Sequence, residues 1–178
     1  MNKIRRDSDI SEIAALVSEA LERAGITAVL SGGAAVSIYT ENAYMSRDLD
    51  FISSESLDRI EEALSELEFE RVSIRYFTHR DTEFYVEFPS GPLAFGDDIV
   101  GDWARMETSA GVIQIVTPTQ CVMDRLAAFY HWNDPQGLEQ AVAVATSREV
   151  DVEAVKDWSE REGNASKFNR FFSLLRNR

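Results

Sequence analysis

Apolar residues recur with two different periods along this chain, and the switches between them mark out its elements. Ile10, Ile13, Val17 and Leu21 fall at helical spacing, the stripe an amphipathic helix buries. Asp9 with Glu12 resembles a capping box at its start, and Gly25 supplies its stop. Thr27-Ala28-Val29-Leu30 reads as a short strand that runs into Ser31-Gly32-Gly33, and the small residues Ala34 to Tyr39 follow as a tightly packed helix. Beyond the polar loop Thr40 to Ser46, Arg47-Asp48-Leu49-Asp50-Phe51-Ile52 alternates polar with apolar, as a strand does. Ser56 is placed to cap the next helix, whose stripe is Leu57, Ile60, Leu64 and Leu67.

From Phe69 to Phe88 the period is two. Val72, Ile74 and Tyr76 alternate with Arg71, Ser73 and Arg75; after the turn His79-Arg80-Asp81-Thr82, Phe84, Val86 and Phe88 alternate with Glu83, Tyr85 and Glu87. That pattern predicts a hairpin with one apolar and one polar face. Pro89 to Asp98 holds most of the turn formers and reads as a loop. Trp103 to Val116 suggests a second hairpin with Ser109-Ala110-Gly111 at its tip. From Thr117-Pro118 the chain reads as helical, with further starts at Asp134-Pro135 and Asp151, and Phe168, Phe171, Phe172 and Leu175 form the apolar side of the last helix. The expected architecture is α+β: a small mixed sheet flanked by helices over residues 1–116, and a helical part over 117–178 packed on it as one compact unit.

The 178 residues are 44% hydrophobic, enough for a sizeable core, and 18 basic against 31 acidic side chains leave a net charge of -13. Nucleic-acid backbones are bound by displacing counterions with Lys and Arg, so nonspecific DNA or RNA binding is not expected, nor is an anionic membrane surface. A single cysteine, Cys121, excludes an internal disulfide framework and a four-thiolate zinc site. It reads as a buried small hydrophobe. The start, Met-Asn-Lys-Ile-Arg-Arg-Asp, lacks the apolar stretch of a signal peptide, and no run approaches the roughly 18 apolar residues of a membrane span. A cytoplasmic location is expected.

Candidate chemistry concentrates between Val29 and Ile52. Gly32 and Gly33 stand between a strand and a helix start, where the backbone can approach a ligand closely and helix amides point at it, as suits a triphosphate; two glycines also make a plain turn. Asp48 and Asp50, two apart on a strand, project from one face about 7 Å apart along the chain. Two carboxylates so placed repel each other, and a divalent cation between them removes the repulsion. Oxygen-only donors favour Mg²⁺ or Mn²⁺. A solvated edge strand would carry the same two residues. His79 and His131 have no second ligand at zinc spacing, and the patch Phe129-Tyr130-His131-Trp132 suits either base stacking or packing on the sheet.

Strand, Gly-Gly turn, helix and Asp-x-Asp strand in this order resemble the nucleotidyltransferase superfamily typified by DNA polymerase beta. The wording Ser46-Arg47-Asp48-Leu49-Asp50 is similar to the branch of AbiEii-type nucleotidyltransferases of type IV toxin–antitoxin systems. The resemblance implies metal-dependent transfer of a nucleoside monophosphate from an NTP to an acceptor hydroxyl, with Asp48 and Asp50 as metal ligands. Ser31, Gly32 and Gly33 would cradle phosphates. It also implies a third carboxylate on an adjacent strand. Glu87 fits best, with Glu83, Asp97 and Asp98 as alternatives. Arg71 and Arg75, on the polar face of a simple hairpin, could meet triphosphate oxygens or only balance Glu83 and Glu87. A catalytically silent relative, acting as a nucleotide-binding or antitoxin-like partner domain, would keep the same fold. The acceptor stays open between a small molecule such as an aminoglycoside, a protein and a tRNA end. Two departures stand out. Fourteen residues separate Gly33 from Asp48, which suggests a bulged loop at Thr40 to Ser46, and the later helix carries Asp124-Arg125 where AbiEii-type enzymes carry a lysine.

Overall fold

The structure, a computed structural model, describes residues 4–177; Met1, Asn2 and Lys3 of the charged start lie outside the described residues. Helix α1 (Ile10–Arg23) is capped by Asp9, whose carboxylate accepts from the Glu12 amide at 2.8 Å. Strand β1 (Val29–Ser31) leads directly into α2 (Gly32–Tyr39), followed by β2 (Asp48–Ile52) and α3 (Leu57–Ser65). Three short strands come next: β3 (Glu70–Arg71), β4 (Tyr76–Thr78) and β5 (Tyr85–Glu87). The segment expected to be loop folds into a two-stranded ribbon, β6 (Ala94–Phe95) with β7 (Asp98–Ile99). The predicted second hairpin is β8 (Ala104–Thr108) and β9 (Gly111–Ile115).

The remaining chain is helical: α4 (Pro118–Trp132), α5 (Pro135–Ser147), α6 (Val152–Arg161) and α7 (Ala165–Arg176). Their starts follow the sequence signals. Thr117 and Gln120 make a reciprocal capping box, and Asp134 and Asp151 accept from the Gln136 and Ala154 amides. Val122, Leu126, Val142, Val155 and Trp158 join the same hydrophobic core as the sheet and α1.

Seven strands form one mixed sheet in the order β3-β4-β5-β2-β1-β9-β8. β2 runs antiparallel to β1 and parallel to β5, and β1 runs parallel to β9. Residues opposed across neighbouring strands point to the same face, so the register sorts the side chains. On one face lie Leu30, Leu49, Phe51, Phe77, Val86 and Ile115, all fully buried. The other face carries Ser31, Asp48, Asp50, Tyr76, Tyr85 and Glu87.

The expected hairpin over Phe69 to Phe88 is corrected at its first arm. Val86 and Phe88 are buried as their period predicts, but Val72 and Ile74 are 57% and 74% exposed. Residues 72–75 form the turn between β3 and β4, closed by the Val72 amide on the Tyr76 carbonyl. The strand resumes at Tyr76 in the opposite phase, so Phe77 fills the core and Tyr76 faces out. At the other end of the chain Phe168 and Phe171 are buried, whereas Phe172 is partly exposed.

Candidate active site

Strand β2 brings the acid pair into register with both flanking elements. Asp50 is opposed by Ser31 on β1 and by Glu87 on β5, and Asp48 is opposed by Tyr85. Neighbouring strands lie about 4.8 Å apart, so Asp48, Asp50 and Glu87 crowd one patch on the face away from the sheet's buried side. Burial, followed by the charges of Asp48 and Glu87, raises the Asp50 pKa from 3.8 to about 7; Arg125 opposes this.

The turn into α2 closes over this patch. Gly32 has φ +66, a conformation that side chains rarely adopt, and a Cβ built on it would lie 2.5 Å from Asp50 Oδ2. Only a residue without a Cβ lets the carboxylate sit against the first turn of α2. Ser31, the N-cap, makes no side-chain capping bond, so its hydroxyl leaves the first-turn amides of α2 uncapped. Gly33 is tight against a different residue, with a built Cβ 3.0 Å from Ser46 Oγ.

Ser46 joins these parts. Its hydroxyl donates to Asp48 Oδ1 at 2.6 Å, while its amide donates to Ser37 Oγ, which in turn donates to the Gly33 carbonyl at 3.1 Å. The loop that delivers Ser46 does bulge, with Glu41 and Asn42 in the left-handed region at φ 52 and 63. Sequence reasoning placed Ser46 only inside a motif. Its position two residues before the first acid was the available signal. Replacing Ser46 by Ala is expected to weaken metal-dependent nucleotide binding about tenfold while the fold is kept, because a group that orients a ligand carboxylate typically contributes that much; titration calorimetry measures it.

Helix α4 adds a cation. Arg125 pairs with Asp124 at 2.6 Å and reaches Gln140 of α5, and its charge acts on Asp50.

Arg71 and Arg75 are not brought to this patch. Arg71 is opposed by Phe77, and the Arg75 carbonyl accepts from the Phe88 amide, so both belong to the sheet's buried side. There Arg71 meets Asp58 and Glu61 of α3 at 3.3 and 3.2 Å and donates to the Ile74 carbonyl, while Arg75 donates to the Phe88 carbonyl. Both arginines share the side marked by buried Phe77, whereas the apolar residues Val72 and Ile74 that suggested the other side lie in the turn. Among the alternatives to Glu87, exposed Glu83 pairs with Arg47, Asp98 pairs with Arg161, and the Asp97 amide is tied to Glu162. Trp132 is 81% exposed, while Phe129 and Tyr130 of the same patch are buried.

The donor set is all oxygen, which suits a hard divalent cation. Burial first, and the charges of Asp48 and Glu87 after it, favour a proton on Asp50; a bound cation would offset the part that comes from the neighbouring charges. Among the described residues, no three His, Cys, Asp or Glu side chains are already converged at ligand distance; the acids form an open row. Also among the described residues, no helix is long and apolar enough to cross a membrane.

The sequence matches no protein-family model and no curated protein. Two solved structures resemble the fold. One is ANT(2")-Ia in complex with adenylyl-2"-tobramycin, with a TM-score of 0.53 and 12% identity over 92% of this chain and 98% of that one. The other is the solution structure of the antibiotic-resistance factor ANT(2'')-Ia, with a TM-score of 0.52 and 15% identity over 94% and 95%. At such identities the likeness is one of architecture: this chain shares the α+β fold of those two structures, with a mixed sheet and seven helices among its described residues.

Proposed function

We propose that this protein transfers a nucleoside monophosphate from an NTP to a hydroxyl of a small molecule. The observation that carries the reading is the alignment of Ser31, Asp50 and Glu87 across three adjacent strands, with Gly32 pressed against the Asp50 carboxylate. Phosphates lie at the uncapped first turn of α2, held by Ser31 and the amides of Gly32 and Gly33. Asp48, Asp50 and Glu87 are the residues that would hold Mg²⁺ or Mn²⁺, which would supply charge neutralisation of the phosphate oxygens. Asp48 is fixed for this by Ser46. Glu87, on the strand away from β1 and α2, orients the acceptor hydroxyl and takes its proton. The acceptor oxygen forms a bond to the α-phosphorus as the bond to the bridging oxygen breaks, and pyrophosphate leaves on the α2 side.

The acidity of this face and the net charge of -13 favour a cationic acceptor over a tRNA end. The neighbour solved with adenylyl-2"-tobramycin supports the same choice. The AbiEii-type reading rests on the Ser46 to Asp50 wording alone.

The expected result is NTP binding that requires Mg²⁺ or Mn²⁺ and is lost in the double variant Asp48→Asn/Asp50→Asn, measured by calorimetry with each of the common NTPs. Label from α-labelled NTP should then pass to an aminated, hydroxylated small molecule. Equal nucleotide affinity in wild type and double variant would overturn the reading.

A further inference from the structure

The face that bears the acids is not uniformly open. At β1 it is closed: Val29 is 2% exposed, and the Trp103 indole donates to Gln114 on β9 at 2.8 Å. Toward β5 and β4 it stays half-exposed, and there two aromatic rings continue the row of carboxylates. Tyr85 is opposed by Asp48, and Tyr76 is opposed by Glu87. The two rings stack on each other with centroids 4.9 Å apart and planes 24° from parallel. The register makes one continuous surface of acid pair, third acid and aromatic pair.

The geometry points to Tyr76 and Tyr85 as the specificity-determining floor for the acceptor, on which an aminated sugar or cyclitol ring stacks while its hydroxyl reaches Glu87. This deepens the transfer reading and rests on it. The direction follows from in-line displacement: pyrophosphate leaves toward α2, so the attacking hydroxyl comes from the far side of the row, where β5 and β4 lie. The chemistry follows from the surface. A saccharide ring lays its C–H face on an aromatic ring, its ammonium groups are attracted to the ring faces, and the carboxylates of Glu87 and Asp48 beside the tyrosines neutralise them. An acyclic polyamine would satisfy the carboxylates but gain nothing from the rings.

Calorimetry with two probes tests this on the full chain: tobramycin, which has rings and ammonium groups, and spermine, which has ammonium groups only. Wild type should prefer tobramycin. Tyr76→Ala and Tyr85→Ala should each weaken tobramycin about tenfold, the scale of losing one stacking partner, with spermine affinity and Mn²⁺-dependent NTP affinity unchanged. Tyr76→Phe and Tyr85→Phe should keep the preference. A pair that serves only to hold the hairpin together would lower the melting temperature and leave the ratio of tobramycin to spermine affinity unaltered, which overturns the proposal. So does a wild type that binds NTP but no tobramycin. Loss of NTP binding in the wild type instead sinks the transfer reading, through a separate measurement.

Discussion

Asp50→Asn should abolish nucleotidyl transfer and, in the same molecule, raise the thermal stability of the ligand-free protein at pH 8. The activity loss is expected to be about a thousandfold or more, since the carboxylate removed is the one opposed by both Ser31 and Glu87 and, in the proposed reaction, would hold the cation that neutralises the phosphates. The stability gain has a definite sign. The folded protein holds the Asp50 proton up to about pH 7, whereas an ordinary aspartate, with a pKa of 3.8, has released it. Between those values the native state carries more protons than the unfolded one, so stability falls as pH rises through the window and is lowest above it. At about 1.4 kcal/mol per pH unit, the span corresponds to on the order of 4 kcal/mol at pH 8, from burial of the ionised carboxylate first and the charges of Asp48 and Glu87 second. Asn removes the charge without removing the shape. Melting curves at pH 4 and pH 8 measure it: the two proteins should be close at pH 4 and the variant higher at pH 8. Mn²⁺ should raise wild type and leave the variant unmoved. Identical pH dependence in the two proteins would mean that burial and the charges of Asp48 and Glu87 do not hold a proton on Asp50.

Gly32→Ala is the second large effect. The backbone at +66 disfavours any side chain by about 1–2 kcal/mol, and the new Cβ would stand 2.5 Å from Asp50 Oδ2, so either the α2 turn or the carboxylate must move. The expectation is loss of transfer by about a hundredfold, as a 1 Å misplacement can produce, together with destabilisation of about 2–3 kcal/mol once the collision is added to the strain. Gly33→Ala is the internal control. Its backbone is ordinary and its contact, at 3.0 Å, is with the end of the Ser46 side chain, so the loss should be smaller and should resemble that of Ser46→Ala. Equal effects at the two glycines would remove the special role assigned to the close approach at Gly32. Transfer rates and urea melts of the two variants decide it.

Much of the architecture was legible because its signals are local. Asp9, Thr117-Pro118, Asp134-Pro135 and Asp151 announce helix starts through side chains that satisfy amides two or three residues away. The acid pair on β2 was legible too, since a strand's period of two places Asp48 and Asp50 together whatever surrounds them. The arm from Val72 to Tyr76 was not. Its alternation is as regular as that of β5, yet Val72 and Ile74 fall in the turn at 72–75 and do not mark the core face; Phe77 does, and Arg71, opposed to it, and Arg75, two residues before it, share its side. The ribbon at β6 and β7 was hidden for a related reason: each strand has only two residues, and Asp97 is anchored from outside by Glu162, 65 positions along the chain.

The chain alone therefore determined which residues stand beside one another within a single strand or helix, and so the helix caps, the Gly-Gly turn and the paired aspartates. Only the tertiary structure decided which elements meet. It set Glu87 and Ser31 against Asp50, sent Ser46 back to Asp48, brought Arg125 in from the helical part, and moved the two arginines away while placing the two tyrosines beside the acids. The reason is that strand register is set by which apolar side chains can share one buried face, and that choice is made jointly by residues far apart in sequence.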